Sequence, residues 1–308
     1  MSAQAQADWK TRFKAWWEGY DLAEVEADKS RRLRERNSER NESQAAAPRA
    51  LWSPERIQVV EAVWGEGFIS PGGEEYIPTL IKPFGLDEKN SVVELNAGLG
   101  GITRHMAEAT GAWVTGLEDE DVLVKAGMER SIRRQLDKRA PILQYDSENF
   151  DFEKRYDAIF AKEAFFRIRD KDKLFHSINA GLKSRGQLLF TDYVLAHSSS
   201  TSAPITAWRK GEPGGVWPST IVEASAQLDR LAMDVRIAED VTDAHRDLVL
   251  EAWSRMTGAP PPAIRDNPRL HELWIAEAEL WMRRVAALDT GDLRVYRFFA
   301  LAAGDAPQ

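Results

Sequence analysis

Residues 91–107 read SVVELNAGLGGITRHMA, a short apolar strand pattern, a glycine-rich turn and the start of an amphipathic helix. A buried strand feeding a helix through such a turn is the opening of a parallel crossover, so this stretch narrows the fold class at once. The alternation then continues along the chain. AWVTGLE reads as a strand, VLVKAGMERSIRRQL as a helix and PILQYD as a strand. YDAIFAKEAF is a strand leaving into a loop, KLFHSINAGL a helix and GQLLFTDYVL a strand. Strands separated by helical patterns of this length predict right-handed crossovers and a doubly wound, mostly parallel α/β sheet spanning about Leu51 to Leu195.

The flanks have a different character. Residues 196–216, with AHSSSTSAP and RKGEPGGVWP, read as a long loop over one end of the sheet. Helical patterns follow at about 220–233, 243–257 and 269–288. LRVYRFFALA alternates like a strand that adds an antiparallel edge. A domain over 51–308 is expected, with 196–290 forming a loop and helical cover above a substrate site. Ahead of it, residues 1–50 form an expected helical extension, in which Trp9, Phe13, Trp16, Trp17 and Tyr20 share one helical face. The basic run from Lys29 to Arg40 reads first as a solvated helical face. The aromatic stripe could lie on a membrane interface, cover the site or meet a second subunit; contact within a homo-oligomer ranks first, because the acidic chain opposes anionic lipid.

Charge and composition exclude other classes. A net charge of -8 and a pI near 5.4 argue against nucleic acid, whose affinity comes mostly from a basic face. The chain has no cysteine, which removes disulfides and thiolate metal sites. The N-terminus lacks the apolar core of a signal peptide and no run of about 18 apolar residues occurs, so a soluble cytoplasmic protein is expected. The five histidines show no ligand spacing, and no metal is expected.

In an open α/β sheet the first strand-to-helix turn is the usual ligand cradle. Gly98 and Gly100 sit in it. A dinucleotide fingerprint would want a third small residue at position 103, which is Thr103. Glu118 follows the second strand at the distance suited to a ribose diol. Asp146, after Tyr145, follows the third strand, where it could accept from an adenine amino group. Glu94, at the end of the first strand, could orient the loop and attract an ammonium. Acidic residues at successive strand ends and the form E-x-x-x-G-x-G-G suit S-adenosylmethionine, a cationic nucleoside without phosphates. An NAD site is the weaker reading, and glycines that merely close a turn are the bland one.

These motifs resemble the class I S-adenosylmethionine-dependent methyltransferases, which have a Rossmann-like fold, and within them the phosphoethanolamine methyltransferases. VWGEGFISPGG at 63–73 looks like the segment that closes over the cofactor, and VVELNAGLGG, TGLEDE and LLFTDY follow in the family's order. The resemblance implies cofactor contacts from Ile69, Ser70, Gly98, Glu118, Asp146 and Lys162, and the same motifs add Glu94, Asn96, Gly100, Asp119 and Tyr145. It also places Tyr193 near a methyl-accepting amine. Two positions depart from the pattern: where the family has a catalytic tyrosine and histidine, ungapped spacing gives Trp52 and Arg167. Arginine stays charged and cannot accept a proton, though it attracts a phosphate or carboxylate. Glu163 stands where the family has an aspartate.

The expected catalytic group is thus Glu163, Arg167 and Tyr193, with His197 as the remaining base; His176 reads as a helix-surface or packing residue. Trp208, Trp217, Trp274 and Trp281 could face a cationic substrate, although core packing explains most of them. The expected activity is methyl transfer to nitrogen or oxygen of an amine, carboxylate or phospholipid-headgroup substrate. The alternative is a methyltransferase-derived protein that binds S-adenosylmethionine, S-adenosylhomocysteine or a partner with weak or no catalysis.

Overall fold

The computed structural model describes residues 51–256 and 260–304. The N-terminal helical extension therefore lies outside the described residues. Those from Trp52 onward pack as one unit.

The unit is built on one seven-stranded sheet of order β3-β2-β1-β4-β5-β7-β6 among the described residues. Its parallel half comprises β1 (Ser91–Leu95), β2 (Trp113–Glu118), β3 (Ile142–Gln144), β4 (Tyr156–Lys162) and β5 (Leu182–Leu195). β1 pairs with β2 on one side and β4 on the other, Leu95 lying level with both Leu117 and Ala161. The order reverses there, which opens a crevice beyond the carboxyl ends of β1 and β4.

Both faces are covered, so β1 is apolar almost throughout instead of alternating. Val93 and Leu95 join one core with Ile159, Leu188 and the helix α5 (Lys171–Gly181). Val92 joins the opposite core with Phe160, Leu189 and α3 (Gly101–Thr110), through Ile102 and Met106. Ile77 and Leu80 of α2 (Gly73–Ile81) pack there too. The helix α4 (Asp121–Arg133) links β2 to β3. α1 (Pro54–Trp64) starts cleanly, because Ser53 caps it by accepting from the Arg56 amide and Pro54 occupies the first turn.

The fold departs from the sequence reading in three places. Residues 196–216 do not form one long loop; α6 (Ala203–Gly211) interrupts it, anchored by Ile205 and Trp208. β7 (Leu293–Leu301) is antiparallel to β5 as expected, but it is not the edge. The edge is β6 (Asp234–Asp240), which escaped notice because DVRIAED is mostly charged and largely solvent-facing, as an edge that resists further pairing tends to be. The third strand pairs only over Ile142–Gln144, since Tyr145 and Asp146 turn out of the ladder. The helices α7 (Ile221–Arg230), α8 (Thr242–Ser254), α9 (Pro262–Arg265) and α10 (Pro268–Asp289) complete the unit. No helix among the described residues is long and apolar enough to cross a membrane.

Candidate functional site

At the tip of β1 the chain makes a tight turn through Asn96, Gly98 and Gly100, all in the left-handed region at φ 54, 58 and 74. Asn96 is the strained member, since a non-glycine residue held there costs energy that the surroundings must supply. Its Oδ1 accepts the Tyr145 hydroxyl at 2.7 Å, which holds the end of β3 against the turn.

Glu118, buried at the end of β2, organises this turn. One carboxylate oxygen accepts from the Gly98 amide at 2.7 Å, and the other from the Asp119 and Glu120 amides at 2.9 and 3.0 Å. Burial pushes its pKa up to about 7 against the three amides, which favour the charged form. Asp119 accepts from Ser147 Oγ at 2.6 Å, and Asp146, next to Ser147 in the chain, lies exposed just past β3.

Thr103 also has a local explanation. Its hydroxyl donates to the buried Glu94 carboxylate. Burial pushes Glu94 up to about 7 although the Thr103 hydrogen bond favours its ionised form.

The segment 65–72 lies over the turn. Gly101, the first residue of α3, donates its amide to the Gly67 carbonyl at 3.0 Å. The Ile69 side chain reaches Gly98 so closely that a methyl there would sit 2.8 Å from Ile69 Cδ1. Trp52 packs against the same region with Ile57, Leu99 and Leu123, and the Arg56 guanidinium stacks on its ring at 4.4 Å. Ser70 is tied to the sheet by Lys162, whose ammonium donates to Ser70 Oγ at 2.9 Å and to Glu163 Oε2 at 2.6 Å.

Glu163 ends β4 with φ 43, a second strained residue at a strand tip. Its amide donates to the Thr191 carbonyl and its Oε1 accepts from Thr191 Oγ1 at 2.9 Å, which over-determines that conformation. Burial raises its pKa, but the Lys162 ammonium, with the hydrogen bonds from Lys162 and Thr191, outweighs burial and holds the carboxyl below its ordinary range.

Here the sequence reading needs correction. His197 is exposed in the loop after β5 and does not approach Tyr193. The histidine that does is His245 on α8. Its Nε2 lies 2.9 Å from the Tyr193 hydroxyl, and its Nδ1 lies 3.6 Å from Glu163 Oε1. All three side chains are buried. A trace was present in the sequence: His245, Val249, Ala252 and Trp253 fall at helical spacing, so the imidazole sits in an apolar stripe. His176 is exposed on α5.

Arg167 also differs from expectation. Its guanidinium donates to Glu212 Oε2 at 2.9 Å and to the Pro213 carbonyl at 2.7 Å. Glu212, fully buried, is also gripped by the fork of Arg284 and by Trp208 Nε1 at 2.9 Å. Arg284 itself lies over the rings of Trp281 and Tyr193. Arg167 is thus held by protein groups instead of standing ready for an anion. Trp208, Trp274 and Trp281 are buried in packing; Trp217 is partly exposed under Arg169. Tyr76, in a groove between α1, α2 and α8 lined also by Trp64, Leu248 and Glu251, has its pKa raised by burial and then by Glu163.

A doubly wound sheet whose switch point carries this turn, with an acidic residue closing it, defines a Rossmann-like α/β protein built for a nucleoside. Comparison with known proteins narrows this: residues 93–190 match a family model described as methyltransferase domain, a match that spans about a third of the chain. Phosphoethanolamine N-methyltransferase 1 of Triticum aestivum is 29% identical over 133 residues, covering 43% of this chain and 26% of that protein. The Plasmodium falciparum phosphoethanolamine N-methyltransferase is 30% identical over 148 residues, covering 46% of this chain and 53% of that protein. The matched stretch thus spans about a quarter to a half of these relatives' length. Among solved structures, Haemonchus contortus phosphoethanolamine N-methyltransferase 2 in complex with S-adenosyl-L-methionine superposes with a TM-score of 0.74 at 20% identity, over 83% of this chain and 58% of that one. The [4+2]-cyclase SpnF has the same fold, with a TM-score of 0.64 at 16% identity over 81% and 93%.

Proposed function

We propose that the protein is a methyltransferase that takes its methyl group from S-adenosylmethionine and passes it to nitrogen or oxygen of a small amine, carboxylate or phospholipid-headgroup substrate. The observation that carries this reading is the Glu118 carboxylate at the end of β2, tied to the Gly98 turn where it suits a ribose diol, while Thr103 departs from the third small residue of a dinucleotide fingerprint. The residues present fit that cofactor. Glu118 and Asp119 would take the ribose side, Tyr145 and Asp146 the adenine side, and Ile69 and Ser70 belong to the cover, which Lys162 of β4 ties to the sheet. Glu94, Asn96 and Gly100 hold the turn's shape.

The cofactor supplies an electrophilic methyl on a sulfonium. What the chain adds is positioning and exclusion of water under the 65–72 segment.

Calorimetry with S-adenosylmethionine and S-adenosylhomocysteine tests the first half: binding is expected, and its absence with both ligands refutes the reading. Release of S-adenosylhomocysteine across a panel of amines, phospho-amines and carboxylates tests the second. Association through the N-terminal aromatic stripe is a further part of the proposal, checked by comparing the mass of full-length protein with that of a variant carrying Trp16→Ser and Trp17→Ser.

A further inference from the structure

Tyr193, His245 and Glu163 make a buried chain of three titratable groups that cofactor binding does not require. Tyr193 comes from β5, His245 from α8 and Glu163 from the tip of β4, so three separate elements converge on one line. The distances are 2.9 Å from the Tyr193 hydroxyl to His245 Nε2 and 3.6 Å from His245 Nδ1 to Glu163 Oε1.

The environment decides the direction of the chain. Glu163 is held ionised by the Lys162 ammonium at 2.6 Å, so its Oε1 can only accept. The imidazole proton therefore belongs on Nδ1, facing Glu163. That leaves the Nε2 lone pair free to accept the Tyr193 hydroxyl, as a carboxylate fixes the tautomer of a histidine elsewhere. Burial holds His245 down at about 4, so the imidazole is neutral near pH 7. The groups facing it are Glu163 and Lys162 from β4, Tyr193 from β5 and Arg284 from α10.

We infer that His245 is the proton acceptor of this site, acting through Tyr193 and oriented by Glu163. This rests on the methyltransferase reading above. In the step, the acceptor's N–H or O–H proton moves to the Tyr193 oxygen while the Tyr193 proton moves to His245 Nε2. The acceptor's lone pair forms the bond to the methyl carbon, and the carbon–sulfur pair returns to sulfur. His245 is left as an imidazolium between Tyr193 and the Glu163 carboxylate, which offsets the new charge. The Lys162 link from Glu163 to Ser70 ties this orientation to the covering segment, so the base is aligned when the cover is down.

His245 does not itself touch substrate in this scheme; it takes the proton through Tyr193. Its role separates from simple core packing by two measurements. The first needs no turnover: nitrogen NMR of ring-labelled histidine in the full-length protein with S-adenosylhomocysteine reads the tautomer. A neutral ring protonated at Nδ1 is expected, with an Nε2 resonance that shifts in Tyr193→Phe; a ring protonated at Nε2 points the chain the wrong way and overturns the inference.

The second uses whichever acceptor the screen identifies. His245→Gln fills similar space but accepts no proton, and is expected to lower kcat about 100-fold or more with KM for S-adenosylmethionine within about threefold, in the range typical of general-base loss. Tyr193→Phe is expected to lower it similarly, with the double variant little worse than either single one. If His245→Gln folds, binds the cofactor and keeps kcat within about threefold of the parent, the histidine only packs. Should His245→Gln fail to fold, His245→Asn and the tautomer measurement decide. Loss of cofactor binding in the parent protein would instead refute the methyltransferase reading and leave the tautomer result standing on its own.

Discussion

Gly101→Ala tests whether the 65–72 segment is clamped to the cofactor turn by backbone contact. Gly101 does not occupy the left-handed region, so alanine suits its φ, and at a helix start it gains something under about 1 kcal/mol of propensity. The obstacle is space. A methyl at Gly101 would lie 2.5 Å from the Gly67 carbonyl oxygen and 2.7 Å from the Phe68 ring. A phenyl ring can swing aside, whereas a backbone oxygen moves only with its segment. Overpacking of this kind costs about 1–3 kcal/mol, and displacement of the segment also breaks the 3.0 Å bond from the Gly101 amide to Gly67, about 1 kcal/mol more. Set against the propensity gain, a net loss of about 2 kcal/mol is expected in urea unfolding monitored by tryptophan fluorescence. Because Ile69 and Ser70 ride on the segment, affinity for S-adenosylmethionine should fall at least tenfold, and protease cleavage between 65 and 72 should quicken. An unchanged urea midpoint would mean that the segment is not seated on Gly101, and the clamp argument would fail.

Three further outcomes follow from the charged groups. Glu118→Gln is expected to weaken S-adenosylmethionine by about ten- to a hundredfold, since hydrogen bonds to a charged group contribute about 1.5–3 kcal/mol; in the parent protein, with Glu118 near 7, affinity should rise between pH 6 and 8 as the carboxylate ionises, and calorimetry of the variant should show that slope flattened. Removing Glu212 by Glu212→Ala strands the buried Arg284 and deprives Arg167 of its partner, a change expected to destabilise by about 3–5 kcal/mol in urea titration, while Glu223→Ala on α7 serves as a control expected to cost about 1 kcal/mol through its capping box. His245 is held near 4 when folded against about 6.5 unfolded, so between those values the unfolded chain binds more protons and stability falls with acid, by about 2 kcal/mol from this group at pH 5. Glu94, Glu118 and Asp192, each raised to about 7, act in the opposite sense and gain relative stability as pH drops from about 7. The His245 share is therefore read as the difference between parent and His245→Gln urea midpoints at pH 7 and pH 5; equal differences at the two pH values would refute the burial of a neutral imidazole.

The sequence by itself determined the parallel half of the sheet and the glycine turn with its acidic neighbour, because each is written locally. A strand, its turn and its helix lie within about twenty residues, and Gly98 and Glu118, although 20 residues apart, are brought together by one crossover that the alternation already implies. Edge order was less legible. β6 carries only Val235 and Ile237 as apolar markers, too few to compete with the charges around them. The acid–base chemistry was decided by tertiary structure alone. Tyr193 and His245 are 52 residues apart and Glu212 and Arg284 are 72, joined through α6, α8 and α10, whose packing no periodicity specifies. Sequence spacing accordingly favoured His197, four residues from Tyr193, but a strand that has left the sheet carries its next residues into solvent. The helix stripe that buries His245 marks a face to be covered, and only the folded chain decides that β5 and the tip of β4 are what cover it. Periodicity records which residues must leave water, while the partner each one meets is settled by how the elements stack.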